Sequence, residues 1–229
     1  MKPTPITPIT KCAAFLLLLA AFLLPSAPAQ ADLYDDMIAA VKQGDQATVA
    51  ELVRRGMDVN TTDREGNTLL MLAVREGQGE LAAFFIDQRA KINARNMHGD
   101  SALRLAAYAG KLPLVKRLVE AGAHVNMQGW TPLIYAAFNG HAPVVAYLLE
   151  HGAQVDAASE NGMTAAIAAA RGGHLEVLKL LVAAGADLNK KTEASETALD
   201  WALRTQNSQA AEFLRAQGVE ESPASTGMR

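Results

Sequence analysis

The sequence predicts an all-α solenoid: about six stacked helical hairpins, counting a cap at each end. Three observations predict it. First, glycine and threonine recur with one period. Thr68, Ser101, Thr131, Thr164 and Thr197 lie 33, 30, 33 and 33 residues apart, and Gly66, Gly99, Gly129 and Gly162 stand two residues before the first four. A fixed period of this length marks stacked units, none able to bury its apolar face alone. Second, apolar residues within each unit follow helical spacing, as in Leu175, Leu178, Leu181 and Val182. Third, the chain is 50% hydrophobic but only 5% aromatic, which favours closely approaching alanine-rich helices over a bulky core.

The elements can be justified in chain order. Residues 1–31 read as an export signal. Lys2 and Lys11 form a basic start, Ala13 to Leu24 is an unbroken apolar run, and Ala29-Gln30-Ala31 offers small residues for cleavage after Ala31. The run is shorter than the roughly 20 residues needed to span a bilayer; an uncleaved anchor is the alternative. Cys12 is the only cysteine and precedes the run, so the mature chain lacks thiols and disulfides, which suits a bacterial periplasm. Residues 32–60 supply an N-terminal capping helix pair. Four repeats follow at 61–93, 94–126, 127–156 and 157–189, then a capping repeat at 190–218 and an expected disordered tail at 219–229.

Each repeat carries its own punctuation. The recurring Thr or Ser can accept a backbone N–H as a helix N-cap, and Pro132 fits the first helical position. A second glycine series (Gly44, Gly77, Gly110, Gly140, Gly173) falls where the chain must reverse between helices. A third (Gly56, Gly122, Gly152, Gly185, Gly218) suits the left-handed end of the second helix. Arg89 fills the gap in that series, at an expected cost of about 1 kcal/mol, which predicts a frayed or reshaped helix end. Asn60, Asn93, Asn126, Asp156 and Asn189 suit asparagine-type turns.

These units resemble ankyrin repeats. The strongest matches are Gly129-Trp-Thr-Pro-Leu-Ile-Tyr-Ala-Ala-Phe-Asn-Gly140 and Gly173-His-Leu-Glu-Val-Leu-Lys-Leu-Leu-Val-Ala-Ala-Gly-Ala-Asp-Leu-Asn189, and the resemblance covers residues 33–218. It implies a β-turn and two antiparallel helices per unit, stacked into a curved array. Two departures stand out. Where the family carries histidine after its Thr-Pro-Leu triplet, this chain has Met71, Arg104, Ile134, Ile167 and Asp200, so apolar packing is expected to replace hydrogen bonding there. Three residues are also missing between Asn126 and Gly129, which predicts a notch in the row of tips beside Trp130. The notch is either tolerated length variation or a place where a partner inserts.

The residues point away from catalysis. His141 and His174 follow mid-repeat glycines, where the family often has a structural histidine, and His124 and His151 lie near second-helix ends, where a cation is favoured. His98 lies in a turn. None has a zinc-ligand spacing, and no phosphate-binding glycine loop occurs. Asp32, Asp35 and Asp36 suit a helix start. No catalytic, cofactor or metal residue is therefore expected. Net charge is −3, and the predicted mature chain loses two lysines more, which argues against general nucleic-acid binding.

Binding is the remaining function class. The resemblance implies that partners meet the tips and the solvent side of the first helices. The late first-helix positions are Arg75, Tyr108, Phe138, Arg171 and Arg204, and the tips add Met97, Met127, Trp130 and Met163. Trp, Tyr and Arg most often carry binding energy, and methionine is adaptable. Tyr108, Trp130 and Phe138 either bind a partner or pack on neighbouring helices. The expectation is a monomeric periplasmic protein that binds another protein and neither nucleic acid nor, once cleaved, membrane. The resemblance extends to periplasmic proteins that support catalase activity. An inhibitor or immunity protein against a toxin or hydrolase, or a secreted effector of a host protein, are the alternatives.

Overall fold

A computed structural model of the protein describes residues 27–222. Twelve α-helices fill that span: α1 Ala27–Gln43, α2 Gln46–Arg54, α3 Leu69–Arg75, α4 Gly79–Asp87, α5 Ala102–Tyr108, α6 Leu112–Glu120, α7 Pro132–Phe138, α8 Ala142–Glu150, α9 Ala165–Gly172, α10 Leu175–Ala183, α11 Ala198–Arg204 and α12 Ser208–Ala216. The odd-numbered helices form one row, each packed on the next, and from α4 onward the even-numbered helices form a second row behind it. The export segment lies outside the described residues except for its end, which α1 overlaps. No helix among the described residues is long and apolar enough to cross a membrane.

Five short helices owe their start to one repeated interaction. The hydroxyls of Thr68, Ser101, Thr131, Thr164 and Thr197 accept the backbone N–H three residues on, at 3.1–3.3 Å. A seven-residue helix is too short to persist alone, so packing must hold it. Leu69, Leu70, Leu72, Leu103, Leu133 and Ile134 are buried between the rows, each worth roughly 1.5–3 kcal/mol. In the second helices the buried stripe is narrower. In α10 it consists of Val177, Leu178 and Leu181, with Leu175 and Val182 only partly covered.

Among the described residues, three non-glycine residues hold positive φ: Arg89 at 60°, Ser195 at 61° and Gln206 at 60°. Each fills a gap in one of the three glycine series. The expected fraying at Arg89 does not occur. Its N–H reaches Ile86 O at 3.0 Å and the Ala90 N–H reaches Phe85 O at 3.0 Å, the same closure that glycine makes elsewhere. Packing of Ala90 beneath the turn over-determines the backbone, so the strain is stored and the helix end keeps its shape.

The asparagine series does more than shape its own turn. The Asn60, Asn93 and Asn126 side-chain carbonyls each accept a backbone N–H of the following repeat, from Lys91, His124 and Gln154, all at 2.8 Å. Asp156 accepts from the Asp187 N–H at 2.9 Å in the same way. The packed chain also runs past the expected boundary at residue 218. Val219 is buried, and the Ser222 N–H donates to Asp200 Oδ1 at 3.0 Å. Residues 223–229 lie outside the described residues.

Candidate functional site

The late positions of the first helices line one face, and the last turns of α5, α7 and α9 are pinned from the repeat that follows. The His141 Nε2–H donates to Tyr108 O at 2.9 Å, and the His174 Nε2–H donates to Phe138 O at 3.0 Å. Asn207 Nδ2 donates to Arg171 O at 2.9 Å. The carbonyls so held belong to three of the proposed contact residues. The histidines therefore fix the backbone from which Tyr108 and Phe138 project.

From that backbone the side chains form a continuous spine. Tyr108, 52% exposed, meets Tyr135 edge-on at 5.7 Å between ring centroids. Trp130 lies 5.2 Å from Tyr135 and 5.7 Å from Phe138. The Arg171 guanidinium lies 5.4 Å from the Phe138 ring and 4.8 Å from the Trp201 ring. Arg204 stacks on Trp201 at 3.7 Å and is ion-paired to Glu196. Trp130 and Phe138 are half-buried, so packing and exposure are shared within single side chains. Edge-on ring pairs contribute about 0.5–1.5 kcal/mol beyond area burial.

Tyr135 and Trp201 were absent from the predicted contact set. They stand three residues before Phe138 and Arg204, one helical turn back on the same face. Leu72, Leu105 and Ala168 share that register, and aromatic residues among such neighbours were the available signal. Burial pushes the Tyr135 phenol above its ordinary value of 10.0, and the Asp100 carboxylate adds to the shift.

The other predicted contacts divide. Met97 stands 77% exposed at a tip. Met127 is half-buried, its sulfur accepting the Ser101 hydroxyl at 3.5 Å. Arg75 is exposed but ion-paired, 3.4 Å from Glu76 and 3.7 Å from Glu65. Met163 requires correction: it is 2% exposed and belongs to the core. Its position directly precedes the capping threonine, where the turn folds the side chain back onto the repeat. Asn67, at the same register, is also buried.

The notch exists, and Arg104 spans it. Full-length tips join their neighbours through backbone hydrogen bonds, Met97 N to Glu65 O at 3.1 Å and Glu193 N to Asn161 O at 3.0 Å. At the shortened tip a guanidinium replaces them. Arg104 Nη1 donates to Gly99 O at 2.7 Å, and Nη2 donates to Gln128 O in the next repeat. Burial lowers the Arg104 pKa and the nearby Asp100 opposes that effect. Above the guanidinium lies an open cleft of about 520 Å³, lined among others by His98, Trp130, Tyr135 and Glu160. Apolar packing does replace the family histidine at Met71, Ile134 and Ile167, but Arg104 and Asp200 make hydrogen bonds there instead. Asp200 also closes a capping box with Thr197.

Ankyrin-repeat models match residues 95–159 (three copies), residues 52–106, and residues 141–182 and 167–215 (many copies). The chain belongs to the ankyrin-repeat family. No curated protein sequence matches it significantly. Among solved structures, this ankyrin-repeat chain is similar to a chain in the complex of the predatory endopeptidase Bd0816 from Bdellovibrio bacteriovorus with immunity protein Bd3460. The TM-score is 0.72 at 30% identity, covering 80% of this chain and 97% of that one. Ankyrin repeats are protein-interaction modules, and along the spine Tyr108, Arg171 and Arg204 are exposed while the other rings are half-buried.

Proposed function

We propose that the protein is a non-catalytic scaffold of the bacterial periplasm that captures a partner protein along its first-helix face and turn tips. The observation that carries this reading is the unbroken run of rings and guanidiniums from Tyr108 to Arg204. Such side chains offer large contact area at low entropic cost, and truncating a central one typically costs about 2 kcal/mol or more of binding. His141 and His174 are committed to joining repeats, which supports a non-catalytic role. The protein works as a monomer on protein, not on nucleic acid or membrane. Its partner is an exported enzyme, such as a catalase, that it serves as an accessory.

A second reading is an inhibitor or immunity protein against a hydrolase. The likeness to a chain of the endopeptidase–immunity protein complex favours it.

Affinity capture from periplasmic extract tests the first reading. Tyr108→Ala and Phe138→Ala together should lose the partner that the unsubstituted chain retains, with the helical circular-dichroism spectrum intact. Undiminished capture by the doubly substituted chain would refute the site. The effect on the captured enzyme separates the two readings, since an accessory supports its activity and an inhibitor suppresses it. Fractionation should place a chain beginning at Asp32 in the periplasm; a cytoplasmic chain retaining Met1 would refute export.

A further inference from the structure

We infer that the docking face recognises a carboxylate of its protein partner, an aspartate or glutamate beside an apolar residue, seated on the edge of the Arg171 guanidinium. This rests on the reading of the spine as a docking face and names the chemistry that it selects. The three arginines of that face are not equivalent. Arg75 faces Glu65 and Glu76, and Arg204 faces Glu196, so both charges are already answered within the chain. Arg171 has no carboxylate within ion-pairing distance among the described residues, and none of its side-chain donors has an acceptor among them.

Arg171 is nevertheless held in place. The guanidinium carbon lies over two rings, 5.4 Å from the Phe138 centroid in the preceding repeat and 4.8 Å from the Trp201 centroid in the following one. Asn207 fixes the Arg171 carbonyl at 2.9 Å. A guanidinium attracted to neighbouring rings by cation–π contact uses none of its N–H donors in doing so, and its planar fork stays available. A carboxylate matches that fork with two parallel hydrogen bonds. Because the rings and the backbone are already ordered, little side-chain freedom remains to be lost on binding. The surrounding rings favour an apolar neighbour to the acid. The chain as a whole carries −3, so a general attraction for acids is absent and recognition of one rests on local geometry. A general anion exchanger would show the opposite balance.

The chain carries its own reporters, since its two tryptophans, Trp130 and Trp201, both lie in the spine. A random dodecapeptide display library panned on the full chain should enrich sequences with Asp or Glu beside an apolar residue. The consensus peptide, titrated by tryptophan fluorescence, should bind about 30-fold more weakly when its acid is changed to the amide. R171Q should weaken the acidic peptide by the same factor, and combining both changes should add little, the mark of one shared interaction. R171K keeps the charge but not the fork and should fall between. E196Q frees Arg204 and should tighten the acidic peptide about threefold. Thermal midpoints of all variants serve as the folding control, and R171K keeps the test decisive if R171Q unfolds.

A consensus without acid, or R171Q and R171K binding like the unsubstituted chain, would overturn the carboxylate inference and leave the docking face standing. Displacement of the peptide by micromolar inorganic phosphate would overturn it in favour of a phosphate site. Peptides that leave the tryptophan fluorescence unchanged and bind Y108A equally well would remove the docking face, and this inference with it.

Discussion

The tip of the first full repeat and the shortened tip of the third are built on opposite principles. At residues 61–68 the turn supports itself. The Asp63 carboxylate accepts from the Glu65 N–H at 2.9 Å, the Asn67 N–H at 2.8 Å and Asn67 Nδ2 at 2.9 Å. At residues 127–130 there is no room for that network, and the turn is held from outside by Arg104 of the preceding repeat. The difference teaches that repeat length and repeat stability are separable. A deletion that removes a local network is tolerated when a neighbour supplies a long, always-charged donor. It also opens a cleft beside the aromatic spine, so tolerated length variation and a usable opening coincide at one place.

That contrast can be broken most forcefully at Met163, which lies under a full-length tip. Met163→Ala should cost about 3 kcal/mol in denaturant unfolding, the usual range for emptying a buried methionine site. Met127→Ala, at the short tip, should cost less than about 1 kcal/mol because that side chain is half-exposed. Equal losses would mean that both tips are cores of the same kind.

Next in size is the borrowed support. Arg104→Met keeps most of the side-chain volume and removes both carbonyl contacts, at an expected cost of about 2 kcal/mol. Hydrogen exchange should accelerate around residues 127–130 and stay unchanged around 61–68. Uniform acceleration would show that Arg104 holds the whole array and not this tip.

The self-supporting tip predicts a pH signature. Burial works against ionisation of Asp63, but hydrogen bonds from Asn67 and Glu65, aided by the Arg75 charge, outweigh it and hold its pKa below 3.8. A folded-state pKa below the unfolded one gives stability that is present above the unfolded value and is lost as pH falls through the folded value. Asp63→Asn should therefore cost up to about 1 kcal/mol at neutral pH, solvent screening being strong there. The difference from the parent chain should shrink during acid unfolding below about pH 4. A constant difference across that range would remove the charge from the explanation.

The smallest effect tests a position outside both tips. Arg89→Gly should raise stability by about 0.5 kcal/mol, because relief of left-handed strain is partly offset by the added freedom of glycine in the unfolded chain. A loss would mean that the arginine side chain contributes more than its backbone costs.

Much of this was legible beforehand. Helix caps, reversal points and the pairing of helices depend on residues a few positions apart, and the 33-residue period repeats that local grammar enough times to be unambiguous. Arg104 was visible only as a departure, because its function needs the deletion in the next repeat, and nothing local couples the two. Met163 misled for the reverse reason: a tip position suggests exposure, while the turn geometry folds that side chain inward. Tyr135 and Trp201 do not stand out in the sequence because they occupy a register that in other repeats is filled by Leu and Ala.

The amino-acid order alone determined the stacked-hairpin architecture, since backbone punctuation and apolar spacing act over short distances and recur. Only the tertiary structure decided which of Arg75, Arg171 and Arg204 lacks a carboxylate partner and which rings meet. Those outcomes depend on side chains from repeats about 33 residues apart arriving within a few ångströms of one another. A carboxylate cancels a guanidinium by distance in space, and separation along the chain does not report that distance.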